Sequence, residues 1–135
     1  MITDKLLQRV LDAHGGTDAW NSVDAIKISV RCGGMALAMR FQAGVFAHYE
    51  AVIRTKEPWV SFTPFKGQTG IFTPNRVWIQ DKAGNIIKER LNPRCFFHSF
   101  RRSLIWDSLD VLYFGGYAIM LIRVKRAAIN ILKKD

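Results

Sequence analysis

Between Gly44 and Leu91 aromatic and β-branched residues alternate with charged ones, and this alternation restricts the fold more than any other feature of the chain. Arg76-Val-Trp-Ile-Gln-Asp81 and Asn85-Ile-Ile-Lys-Glu-Arg90 flank Lys82-Ala83-Gly84. Two period-2 runs around a short Gly-containing loop predict an antiparallel hairpin. Upstream, Val45, Ala47, Tyr49, Ala51 and Ile53 share one face, with Phe46, His48, Glu50, Val52 and Arg54 on the other. Trp59-Val-Ser-Phe-Thr-Pro-Phe65 reads as a further extended segment. An apolar face backed by a wet one describes an antiparallel sheet covered on one side only.

The same period begins earlier. Ile26, Ile28, Val30 and Cys32 alternate with Lys27, Ser29 and Arg31, which predicts a strand with the Cys32 thiol on its apolar face as a buried free thiol. After Gly33-Gly34, Met35, Leu37, Met39 and Phe41 alternate with Ala36, Ala38, Arg40 and Gln42, which predicts a second strand. Gly70-Ile-Phe72 reads as a stub between two loops. Short spacers predict a meander in which sequential strands pair.

Helices bracket the strands. Leu6, Leu7, Val10 and Leu11 form a helical stripe expected to bury against the sheet, with Thr3 as cap, Asp4 at the positive end and Gly15-Gly16 as the stop. Thr17 to Trp20 reads as one more turn, with Trp20 as a buried plug. Beyond Asn92-Pro93, Ser103 is a cap for a helix carrying Leu104, Ile105, Trp106, Leu109, Leu112 and Tyr113, and Gly115-Gly116 is a break before a second helical stretch, Tyr117 to Leu132.

A chain of 135 residues, 49% hydrophobic and 23% charged, has the material for one folded domain. Its net charge of +9 biases it towards anionic partners. Much of that charge lies at Arg94, Arg101 and Arg102 and between Arg123 and Lys134, and without a recognised binding motif nucleic acid is not the expected partner. Cys32 and Cys95 form no CxxC pair. The N-terminus is amphipathic and charged, unlike a signal peptide, so a cytoplasmic location is the expectation. The uncharged run from Val111 to Ile122 is too short to cross a hydrocarbon core of about 30 Å.

No reaction is spelled out. His14, His48 and His98 have no ligand spacing, so neither a metal nor a cofactor is expected, and no P-loop, GxSxG or dinucleotide pattern is present. Asp107 and Asp110 stand at i, i+3, a spacing open to acid–base work but expected at a helix N-terminus on electrostatic grounds alone.

The order of parts carries a resemblance. Ala13-His-Gly-Gly16 ends the first helix, Trp20 follows, and then come Ser61-Phe-Thr-Pro-Phe65, Gly70-Ile-Phe-Thr-Pro74, Asn92-Pro-Arg94, and Trp106-Asp107 with Tyr113, Phe114, Gly116 and Tyr117. Across residues 5 to about 120 this resembles a branch of the LolA/LppX-like group of bacterial lipoprotein carriers. The resemblance implies a half-open barrel with helices in its concave side, an apolar cavity for acyl chains, and a place in the cell envelope. The chain lacks that group's signal sequence and lipidation cysteine, and its basic tail differs from the strands expected after Tyr117. A truncated or frame-shifted version is therefore the expectation.

Together these readings predict an α+β single domain. Residues 1–22 form a helical N-terminus, residues 23–92 a curved antiparallel sheet of five or six strands (an incomplete half-barrel), and residues 93–135 a helical C-terminus. The expected function is non-catalytic binding of a lipophilic small molecule or acyl chain. The cavity would be lined by Leu37, Phe41, Tyr49, Ile53, Phe62, Trp78 and Trp106, with no catalytic or metal-binding residue. The alternative is a membrane-surface or protein-interaction module docking its basic C-terminal helix on anionic lipid. A homodimer through the open sheet edge is a further expectation.

Overall fold

In the computed structural model Arg76–Gln80 and Ile86–Leu91 pair antiparallel, as the alternation requires. Asp81 builds their connection: its Oδ1 accepts from the amides of Ala83 and Asn85 at 2.9 Å each, while its own amide donates to the Asn85 carbonyl at 3.0 Å. The structure describes all residues but 1, 14, 34, 40, 99–103 and 132–135, and omits the side chains of 2–4, 7, 17, 20, 36, 37 and 121–131. In chain order the elements are helix α1 (Ile2–Ala13), α2 (Gly16–Ser22), strand β1 (Ala25–Val30), the short helix α3 (Met35–Ala38), β2 (Tyr49–Arg54), β3 (Val60–Phe65), β4 (Gln68–Thr73), β5 (Arg76–Gln80), β6 (Ile86–Leu91), a 3-10 helix (Pro93–His98) and α4 (Ser108–Ile131).

The strands form one six-stranded antiparallel sheet in sequential order, open at β1 and β6. Register shifts in β3 between Phe62 and Phe65 and in β5 between Ile79 and Gln80 bend the ladder. Two cross-strand rows define the apolar face. One runs Ile28, Ala51, Phe62, Gly70, Ile79; the other runs Ile26, Ile53, Val60, Phe72, Val77 and ends on Arg90. Helix α4 lies on this face, seated chiefly on β4 and also meeting β3, β5 and β6. Leu109, Val111 and Leu112 join Phe46, Tyr49, Phe62, Phe65, Phe72 and Val77 in the core.

Three glycines set how close the helix comes. A Cβ on Gly116 would stand 2.1 Å from Cγ of Phe72, one on Gly115 2.6 Å from Cζ of Phe46, and one on Gly70 2.7 Å from Cδ1 of Leu112. The Gly115-Gly116 pair therefore does not break the helix: it notches it, letting the helix backbone rest on the Phe46 and Phe72 rings.

Other expectations need correction. Residues 35–41 do not make a strand: Met35–Ala38 is a helical turn, and Phe41 sits at φ 60°. Met, Ala and Leu favour helix locally, and none of the described strands pairs with this segment. Consequently β2 pairs directly with β1, Met35 and Phe41 are 77% and 76% exposed, and the Cys32 and Cys95 thiols are exposed and free. The expected stub is a full strand, β4, with Ile71 and Phe72 buried. In α1, which begins at Ile2 ahead of Thr3, Leu11 is 2% exposed while Leu6 is 61% exposed and Val10 is also open. The C-terminal helix starts at Ser108, not near Ser103. The expectations for His14, Ser103, Leu7 and the Trp20 plug fall outside the described residues or side chains.

Candidate functional site

Helix α4 is held at its start by an ion-pair latch. Asp107 caps it: Oδ1 accepts the Asp110 amide at 2.9 Å, and Asp110 Oδ2 accepts the Asp107 amide at 2.9 Å in return. Reciprocal bonds at this spacing satisfy two of the donors that every helix N-terminus leaves unpaired. Arg90, on the apolar face of β6, reaches both acids, with Nη1 2.8 Å from Asp110 Oδ1 and 3.2 Å from Asp107 Oδ1. Asp110 is 1% exposed, and the Arg90 guanidinium also lies 4.8 Å from the Phe96 ring centre. The carboxylate pair thus has a structural occupation, joining the last strand to the last helix.

Because α4 rides on the middle and far strands, the apolar face is covered unevenly. Ile26, Ile28, Val30 and Ile53, on β1 and β2, are half-buried, and Ile28, Val30 and Ile53 pack against the core edge. The connection from Val30 to Tyr49 adds exposed Met35, Met39 and Phe41. Burial raises the Tyr49 hydroxyl pKa above its usual value, and the neighbouring Cys32 adds to the shift. This is a partly exposed apolar strip beside the helix.

The residues expected to line a cavity divide by position. Tyr49 and Phe62 are buried, with ring centres 5.4 Å apart and Phe46 against both, so they fill the core. Ile53 belongs to the strip. Trp78 points to the opposite, wet face, since its row partners are Ile71 and Glu89; Arg76 lies 4.6 Å over its ring, and its indole N–H donates to Gln80 at 3.1 Å. Phe41 stands in the β1–β2 connection rather than in a strand, and the Leu37 side chain is outside the described set. Trp106 packs at the helix start, where its carbonyl accepts from the buried Gln42 at 2.6 Å; Gln42 Oε1 has no hydrogen-bond partner among the described residues. Two open clefts of about 490 and about 310 Å³ lie elsewhere, the larger beside His48 and Lys66, and none of the six described residues of the set lines either one.

The sequence reading singled out Phe72, Phe97 and Trp106 as aromatics that pack in the core or line a cavity, but not the group they form with Tyr113, Phe114 and Tyr117 on the other flank. Phe97 contacts Trp106 and Tyr113 with ring centres 5.6 and 5.3 Å apart, Trp106 contacts Phe114 at 5.1 Å, and Tyr113 contacts Phe72 and Tyr117 at 5.8 and 5.9 Å. The signal was available in the i, i+4 spacing of Tyr113 and Tyr117, but a helix break at Gly115 hid it. Among the described residues no group of three His, Cys, Asp or Glu side chains gathers to hold a metal ion, and no helix is long and apolar enough to cross a membrane. No protein-family model, curated protein or solved structure matches the chain.

Proposed function

We propose that the chain is a non-catalytic binding protein for a lipophilic ligand such as an acyl chain, laid along the β1–β2 part of the helix-bearing face. The observation that supports this is the uneven seating of α4, which leaves Ile26, Ile28, Val30 and Ile53 only partly buried on the same apolar face. An acyl chain extending along these strands would remove aliphatic surface from water, worth about 25 cal/mol per Å². Met35 and Met39 in the adjoining connection are flexible enough to fold over such a guest. The resemblance to lipoprotein carriers agrees in substrate class, with a partly exposed strip in place of the enclosed cavity that the resemblance implies.

Titration with an environment-sensitive apolar fluorophore should saturate at a defined stoichiometry. Ile28→Lys, which puts a charge in the strip, should lose that binding, while Ser29→Lys on the opposite face should keep it. Non-saturable binding, or equal binding by both variants, would overturn the reading. A homodimer through β6 is a subordinate proposal, supported by the exposure of Ile86, Ile87 and Leu91 on that edge strand. Charge works against it: two-fold pairing about Lys88 sets two lysines opposite one another, and pairing about Glu89 sets Lys88 opposite Arg90. Sedimentation at several concentrations separates a monomer from a dimer.

A further inference from the structure

The aromatic flank of α4 has its own exposed surface, separate from the strip. Its rings run outward from the core in contact with one another, from Phe72 through Tyr113 to Phe97 and Tyr117, and from Phe97 through Trp106 to Phe114. Phe114 and Tyr117 are exposed at the outer end, and Leu104, Ile105 and Phe96 add further exposed apolar groups from the adjoining segments. An apolar patch built this way on one side of a chain marks a contact surface. Its charge names the contact. Residues 93–106 contain Arg94, Arg101 and Arg102 and no acid, and Asp107, which follows, is held by Arg90. Arg94 is exposed and close enough to Tyr113 to act on its hydroxyl electrostatically.

We propose that this face docks on an anionic lipid bilayer. Tryptophan and tyrosine, with an apolar ring and a polar tip, collect at the headgroup level of membranes, where Phe, Leu and Ile reach the acyl boundary. An arginine such as Arg94 beside them meets lipid phosphate bidentately and lays its aliphatic stem on apolar surface. The chain's charge of +9 draws it to such a surface over a range set by ionic strength. The face is independent of the β1–β2 strip, so the proposal stands whether or not the strip takes a ligand.

Flotation with vesicles of phosphatidylcholine alone and of phosphatidylcholine with phosphatidylglycerol tests it. The protein should float with the mixed vesicles, weakly with the neutral ones, and less as salt rises. Phe114→Asp combined with Leu104→Asp, both at exposed positions, should lower partitioning by about tenfold or more. Arg94→Glu should weaken binding to the mixed vesicles only. Circular dichroism and a thermal unfolding midpoint matching the parent show that the variants are folded. No flotation with the anionic vesicles would overturn the proposal. So would flotation unchanged by the double variant, which moves the contact to the basic end of the chain. Self-association abolished by Phe114→Asp would assign the face to a second copy and equally overturn it.

Discussion

Helix α1 carries a clean stripe at Leu6, Leu7, Val10 and Leu11, whereas α4 is apolar on nearly every side as far as Arg123 and is interrupted by two glycines. The sharper pattern belongs to the looser helix. Helix α1 finds its main neighbour in α2 and buries Leu11 while leaving Leu6 and Val10 open; α4 crosses the sheet and supplies three core residues. A stripe states that a helix has a face to hide, and says nothing of whether a matching surface waits for it. The α4 helix is docked by two devices outside periodicity: a glycine notch that lets aromatic rings approach its backbone, and a buried ion pair that ties its first turn to β6.

The strongest way to break this contrast is at the latch. Asp110→Ala leaves Arg90, whose side chain is 12% exposed, with only the more open Asp107, and should cost about 3–5 kcal/mol in urea denaturation. Removing the exposed Lys27–Glu50 pair should cost about 1 kcal/mol or less. Equal losses would show that the latch is no anchor. Next comes the notch. Gly116→Ala sets a methyl 2.5 Å from Cβ of Phe72 and should destabilise by about 1–3 kcal/mol, although a helix interior ordinarily gains from that change. Gly115→Ala meets the far end of the Phe46 ring and should cost less. A Gly116→Ala protein as stable as the parent would show that α4 does not sit this close.

Two smaller effects sharpen the comparison. In α1, Leu6→Ala should change stability by no more than about 0.5 kcal/mol. A loss of several times that would mean that α1 docks more deeply than its exposure shows. The smallest effect is local to the hairpin on which α4 is latched. The Asp81 carboxyl is held below its usual pKa, first by the Asn85 backbone amide and then by the Asn85 side chain, with the amides of Ala83 and Gly84 adding less. A lowered folded value makes this order complete above the ordinary carboxylate range and lost as pH falls through the folded value. Amide exchange at Ala83 and Asn85, corrected for intrinsic rates, should lose protection on acidification while Val77 keeps its own. Protection unchanged in acid would remove Asp81 as the organiser of the loop.

What was legible in the sequence follows the range of the forces involved. The Arg76–Arg90 hairpin was readable because its faces, loop and pairing are all local. The strand expected at 35–41 was wrong for the opposite reason: alternation shows a segment that could lie in a sheet, while pairing requires a partner, and β2 had already taken β1. Gly115-Gly116 read as a stop because glycine lowers helix propensity, an effect of about 1 kcal/mol per residue that core packing against Phe46 and Phe72 outweighs. Tyr49, Ile53, Phe62, Trp78 and Trp106 were singled out as cavity lining because they are large and apolar, but register sends Trp78 to the wet face and core packing absorbs Tyr49 and Phe62. The Arg90–Asp110 pair joins two distant elements, and residue type alone gave no hint of it.

The sequential strand order has a consequence for how the chain assembles. Each sheet neighbour is also the next strand along the chain, so the ladder from β3 to β6 closes through loops of a few residues and can zip without waiting for distant partners. The join between Val30 and Tyr49 is much longer, and its closure entropy is the largest in the sheet. On closure entropy alone β1 is the strand expected to join last, while the latch at Arg90 fastens the opposite margin to the helix. The sheet has a fixed hem and a loose one, and the strip proposed to hold a ligand runs along the loose hem.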